Sequence, residues 1–150
     1  MECENRGIDQ KLFDYLIHSV AATQYYQLNG ISLQALSPGK SEFMVTTGPQ
    51  HCNPMGIVHG GLFTAMADAA MGNSIRSLGM VGVTCNLSAN FIASVPPGET
   101  IVAKGSVTKA GRTMLYAEAE VRCGDKIIMK AIGSFFRIGD VNPEQAGNMH

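Results

Sequence analysis

The chain has no tryptophan and only four cysteines, Cys3, Cys52, Cys85 and Cys123. The cysteines form no C-x-x-C pair and no even ladder, which excludes a metal knuckle or a disulfide scaffold as the basis of the fold; reduced thiols in a cytoplasmic protein are expected. Charge of either sign is scarce: 15% of residues are charged, 11 Lys and Arg stand against 12 Asp and Glu, and the formal net charge is −1. No basic run occurs, so nothing in the charge points to nucleic acid or an anionic membrane as partner. No apolar run approaches the ~18–20 residues of a membrane span. The start, MECENRGIDQ, lacks the basic first part and apolar core of a secretory signal. Internal repeats, low-complexity tracts and linkers are also missing.

What is present fits one domain over residues 1–150. Hydrophobic residues make up 45% of the chain, and at this length roughly 70% of the unfolded surface can be buried. Residues 9–28 carry Leu12, Leu16 and Val20 at four-residue spacing with Phe13, Ile17 and Ala21 beside them, which predicts one amphipathic helix ended near Gly30. Short strands are expected at 31–36 and 41–47, joined by a turn at Ser37-Pro38-Gly39-Lys40. A loop with Pro49, Pro54 and Gly56 leads to a helix at 59–78 that is apolar on nearly every side and therefore belongs inside. Strands follow at 81–95, 99–108, 113–122 and 126–137, with turn signals at Pro96-Pro97-Gly98, Ala110-Gly111-Arg112 and Gly124-Asp125. A polar tail, 139–150, is expected to fray. The order predicts an α+β fold in which a curved antiparallel sheet wraps one long central helix, with an additional helix at the N-terminus.

The most specific residues lie at the start of the buried helix: His51-x-Asn53-x-x-Gly56-x-x-His59-Gly60-Gly61, then Asp68 seven residues on. This segment resembles the signature of hotdog-fold thioesterases of the phenylacetate-degradation type. Gly82-Val83-Thr84, Pro96-Pro97-Gly98-Glu99 and Lys109-x-Gly111-Arg112-Thr113 resemble further landmarks of that family, so the likeness covers residues 30–137. It implies the hotdog fold and hydrolysis of an acyl-CoA thioester to free acid and CoA, without cofactor or metal.

The chemistry can also be read from the residues. The first N–H groups of a helix lack internal partners and sit at the positive end of its dipole. Gly60 and Gly61 let a ligand approach that backbone closely, so the Gly60 N–H can polarise a carbonyl turning into an oxyanion. Asp68, flanked by Met66, Ala67, Ala69 and Ala70, is a carboxylate on an apolar helix, a costly placement unless it is paired or used. It can act as general base on water or as nucleophile, and the sequence leaves both open. Gly60 and Asp68 are eight residues apart, roughly 12 Å along one helix. One thioester cannot touch both within a chain, so a homodimer with shared sites is expected, in which Asp68 of one subunit faces Gly60 of the other.

The remaining assignments come from the resemblance. It gives Asn53 a role in holding the carbonyl or the water, although an Asx-turn with Pro54 explains that residue as well. It gives Thr84 the positioning of the water, against the reading of an ordinary strand threonine. It has His59 order the loop before the helix, beside Gly61 and the pocket-wall residue Phe63. It offers Lys109 and Arg112 for the CoA phosphates, with Lys104 and Arg76 as further possibilities and solvated surface charge as the alternative for each. It also implies that the dimer doubles to a homotetramer. Two other classes share the fold: a non-catalytic acyl-CoA-binding module, which should lack Asp68, and a hydratase or dehydratase, which pairs a histidine with an acid in a different motif. Met66, Phe91, Tyr25 and Tyr26 complete the expected apolar wall.

Overall fold

The computed structural model describes residues 2–147. The chain opens with a two-residue strand β1 (Glu4–Asn5), helices α1 (Gln10–Ala21) and α2 (Gln24–Asn29), and strands β2 (Ser32–Ser37) and β3 (Lys40–Thr46). The long helix α3 (Gly60–Arg76) follows, then β4 (Met80–Phe91), β5 (Thr100–Ala110), β6 (Met114–Cys123) and β7 (Lys126–Asp140). The strands form one sheet in the order β1-β2-β3-β5-β6-β7-β4, curved around α3. This is the hotdog arrangement of one helix held in a sheet.

Four expectations need correction. The sheet is mixed rather than purely antiparallel, because β1 runs parallel to β2. The single N-terminal helix is two: Asp9 caps α1 by accepting the Leu12 N–H at 3.0 Å, but Thr23 turns extended (ψ 110°) and restarts the chain as α2. The strand expected to reach residue 95 ends at Phe91. The tail is not frayed from 139 on, since Gly139 and Asp140 pair with Val81 and Met80, and Pro143–Gly147 forms a 3-10 turn; residues 148–150 lie outside the described residues.

The core is where α3 meets the sheet. Leu16, Leu36, Met66, Met71, Ile101, Leu115 and Met129 are fully buried, each contributing roughly 1.5–3 kcal/mol of burial. Contact with α3 is tightest at β5. A Cβ added to Gly105 would stand 2.3 Å from the Ala70 carbonyl carbon and oxygen, so glycine is what lets helix and strand meet there. Beside it the Ser41 hydroxyl donates to the Ala70 carbonyl at 2.6 Å. Gly79 (φ +80°) then reverses the chain so that β4 runs back along α3. No described helix is long and apolar enough to cross a membrane.

The two edges of the sheet differ. One is closed by the very short β1. The other is β4, twelve residues long, with exposed Val83 and Phe91 and with Ile92 just beyond. A long edge strand with apolar side chains is a template for pairing with another chain.

Candidate active site

The start of α3 is built by two histidines. His59 is the N-cap: its Nδ1 accepts the Gly61 N–H at 2.7 Å. The Leu62 N–H bonds the His59 carbonyl at 3.0 Å, and the Gly60 N–H has no acceptor among the described residues. A free donor therefore remains at the positive end of the helix. His51 carries the loop. It is 6% exposed, its Nδ1 accepts the Gly48 N–H at 2.9 Å, and its Nε2 lies 2.9 Å from the Asn29 carbonyl. With Nδ1 accepting, the proton sits on Nε2 and is donated to Asn29. The His51 carbonyl in turn accepts the His59 N–H at 2.8 Å. The signature placed His51 in the motif but gave it no task; it ties α2 to the loop that presents Gly60.

Asn53 sits in the same loop as an Asx-turn. Its Oδ1 accepts the Met55 N–H at 3.0 Å, and its carbonyl accepts the Gly56 N–H at 2.9 Å, with Gly56 at φ +76°. The Asn53 Oδ1 is thus engaged within the turn, leaving the amide NH2 as its available donor.

Asp68 lies on the face of α3 that the sheet leaves uncovered. Gly61, Thr64, Ala65, Asp68, Gly72 and Arg76 recur at helical spacing, and none of them is buried, while the opposite side of the helix is. The helix is therefore not enclosed on all sides, as its composition led one to expect. Thr84 comes beside Asp68 because β4 folds back along α3, and its hydroxyl donates to Asp68 Oδ1 at 2.7 Å. A bulge at Cys85 follows, after which Leu87 faces the same cleft. At the other end of the pair, Phe91 lies against Gly60: a Cβ added there would meet the ring at 3.0 Å.

The uncovered face of α3 floors two adjoining hollows that share Tyr26, Asp68 and Thr84. One, of about 650 Å³, runs toward Gly61 between α2 and β4, with Tyr25 and Leu87 in its wall. The other, of about 380 Å³, runs toward Arg76, with Tyr15, Ser19 and Phe135. Burial pushes the Tyr26 phenol up, the Asp68 charge adds to this, and Arg76 and Asn73 oppose it. A separate charged hollow of about 480 Å³ on the sheet, lined by Arg6, Glu42, Lys104 and Lys130 among others, contains neither Asp68 nor Gly60.

Other expected site residues lie elsewhere in a single chain. Phe63 and Met66 are in the core, 3% and 0% exposed. Lys109 and Arg112 are exposed at the β5–β6 end. The register puts Ala110, Leu115, Phe135 and Thr84 in one row, so that end lies three strand spacings, roughly 14 Å, from Thr84. Lys104 pairs with Glu42 at 3.6 Å on the outer face.

A family model described as the thioesterase superfamily matches residues 55–129, from the loop before α3 into β7. The chain belongs to the thioesterase superfamily. Human acyl-coenzyme A thioesterase 13 is 27% identical over 96 residues, 63% of this chain and 69% of that protein. A Pseudomonas aeruginosa protein provisionally named an esterase is 30% identical over 89 residues, 57% of this chain and 66% of that protein, just under two thirds of its length. Among solved structures, the Escherichia coli PaaI protein from the phenylacetic acid degradation operon superposes with a TM-score of 0.83 at 20% identity, covering 90% of this chain and 99% of that one. A Streptococcus pneumoniae hypothetical thioesterase with coenzyme A gives 0.72 at 22% identity, covering 75% and 91%. These superpositions establish the hotdog fold. The superfamily match spans α3 whole, including Gly60, Asp68 and the strand that carries Thr84.

Proposed function

We propose that this chain hydrolyses acyl-CoA thioesters to a free acid and CoA, with Asp68 as the acid residue that drives the reaction. The observation that carries this reading is the Asp68 carboxylate, half-exposed in a cleft and held at 2.7 Å by Thr84. The thioesterase name of the human relative and the coenzyme A bound to the Streptococcus pneumoniae structure support the substrate class. As base, Asp68 takes a proton from water while the water oxygen attacks the thioester carbon. The carbonyl oxygen becomes an oxyanion at the Gly60 N–H. The C–S bond then breaks, and the proton passes to the CoA thiolate. As nucleophile, Asp68 forms a mixed anhydride that water opens to the same products. The Thr84 hydroxyl donates its one proton to Asp68 and keeps lone pairs free to accept from the water, so one residue positions both.

The site is read as shared between two copies. Asp68 and Gly60 lie eight residues apart on an unbroken helix, roughly 12 Å. The bare β4 edge and the small residues Gly61 and Ala65 beside Asp68 give a second copy both a strand to pair with and room for its helix. Tyr116, Ile132 and Phe136, exposed on the neighbouring strands β6 and β7, form an apolar outer face that would double the dimer to a tetramer. Lys109 and Arg112, remote from Asp68 in one chain, are assigned to the CoA phosphates across such contacts.

Release of free thiol from a panel of short-chain, aryl and long-chain acyl-CoAs tests the activity, with equimolar acid and CoA expected from at least one. A panel that yields no thiol removes the hydrolase reading. Thr84→Val should lower kcat roughly tenfold or more with little change in KM, since a hydrogen bond to a charged group is worth ~1.5–3 kcal/mol. Thr84→Ser should recover most of it. Loss of activity through KM alone, or no rescue by serine, would show Thr84 to be packing rather than positioning.

A further inference from the structure

We propose that the cleft takes acyl groups that end in a carboxylate, and that Arg76 holds that carboxylate. This rests on the hydrolase reading above and names its substrate class. Arg76 stands in the last turn of α3 and lines the same hollow as Asp68 and Thr84. It is half-buried, and its partners are neutral: Nη1 donates to Asn73 Oδ1 at 3.0 Å, Nη2 donates to Ser19 Oγ at 2.8 Å, and the guanidinium lies 5.9 Å from the centre of the Tyr15 ring. Arg6, Arg122 and Arg137 each lie against a carboxylate; Arg76 and Arg112 meet none among the described residues, and of these two Arg112 is exposed while Arg76 is half-buried. Burial holds its pKa below the usual guanidinium range, with Tyr15 and Tyr26 opposing. The charge stays on at any working pH, so a cation partly withdrawn from water lacks a counter-ion.

The guanidinium is a planar fork with five donors, and two hydrogen bonds leave the remainder for a ligand. That geometry matches a carboxylate or a phosphate better than a hydroxyl or an apolar end. The CoA phosphates stand a whole pantetheine arm from the thioester, whereas the Arg76 hollow adjoins Asp68, so an acyl carboxylate is the anion that reaches it. Asp68, the one acid lining this hollow, is engaged by Thr84 and does not pair with Arg76. Between the two lies Gly72, where an added Cβ would meet nothing within 4 Å. Asp68 and Arg76 are also eight residues, roughly 12 Å, apart along α3, but the long Arg76 side chain reaches back toward Asp68 as far as Asn73. The arrangement therefore reads as a slot with the thioester carbon at the Asp68 end and a second acidic group at the Arg76 end. Arg76 also joins α1 to α3 through Ser19, and the test must separate that clamp from ligand binding.

The experiment compares kcat/KM for succinyl-, glutaryl- and adipoyl-CoA with that for butanoyl-, pentanoyl- and hexanoyl-CoA, in the wild type, Arg76→Met and Arg76→Lys. The wild type should favour the diacid member of at least one matched pair by about tenfold or more, the scale of a charge-assisted hydrogen bond. Arg76→Met should collapse that ratio, mainly through KM for the diacid, and Arg76→Lys should retain part of it. A clamp alone would lower both members alike and leave the ratio unmoved, which overturns the inference. So does a wild type that prefers no diacid. Should Arg76→Met fail to fold, the wild-type ratio and the lysine variant decide. Hydrolysis of other acyl-CoAs without diacid preference sinks this inference and keeps the hydrolase; no thiol from any acyl-CoA sinks both.

Discussion

Asp68→Asn is expected to cut turnover by ~10²–10⁴-fold, the usual contribution of a positioned acid–base group, while fold and assembly stay intact. Asparagine has nearly the shape of aspartate. Its Oδ1 can still accept the Thr84 hydroxyl, which now bonds Asp68 at 2.7 Å. The position is half-exposed and no ion pair is made there among the described residues, so removing the charge strips away no structural partner. What disappears is the basic, nucleophilic oxygen, and with it proton removal from water or attack on carbon. Melting temperature and sedimentation should match the wild type, and kcat should account for the loss. Turnover within a few-fold of wild type would make Asp68 a structural residue and end the proposed mechanism.

Much of this architecture is legible in the sequence because its signals are local and periodic. The helical stripe of Leu12, Leu16 and Val20, the alternation of Ile101 and Ala103, and the glycine turns at Gly30, Gly39, Gly79 and Gly124 all fall where the structure has them. The break between α1 and α2 stays hidden because Tyr26 continues to pack inward, against Phe43 at 5.8 Å between ring centroids, so the apolar stripe runs on past Thr23. β1 is invisible for a different reason: two residues, Glu4 and Asn5, are too few to show a period of two, and what holds them is backbone pairing with Ala35 and Leu36. The ends of β4 and β7 likewise follow the backbone ladder rather than side-chain pattern, which is why polar Gly139 and Asp140 are strand.

The site divides along the same line. Gly60 and Asp68 share one helix, so their spacing is a sequence quantity. Thr84 reaches Asp68 because a single tight turn at Gly79 joins α3 to β4, which keeps their relation nearly local. The hollow around Arg76 is assembled from α1, α2, α3, β4 and β7, and the sequence has no period that aligns Tyr15, Ser19 and Phe135 with it. His51 escapes for the opposite reason. Its motif position is obvious, but its task depends on the Asn29 carbonyl, twenty-two residues earlier.

Two inactive variants, mixed, are expected to regain activity. Gly60→Val is the first of the pair and Asp68→Asn the second. A β-carbon at residue 60 would already stand 3.0 Å from the Phe91 ring, and the valine methyls crowd the space beside the Gly60 N–H. The N–H itself remains, so the block is steric. In the proposed dimer each thioester meets Gly60 of one subunit and Asp68 of the other. Every site in either homodimer then carries one defect and should be nearly dead. In a mixed dimer one site receives both defects and its twin receives neither. With random exchange about half the dimers are mixed and each has one good site of two, so roughly a quarter of wild-type sites should return, by the twofold symmetry of the interface. Subunit exchange followed with labelled chains controls the mixing, and thiol release reads the recovery. The helix between the two residues is continuous from Gly60 to Arg76, so they cannot meet within one chain, and confirmed exchange without recovery would rule out the shared site and mean that one of them takes no part in the reaction.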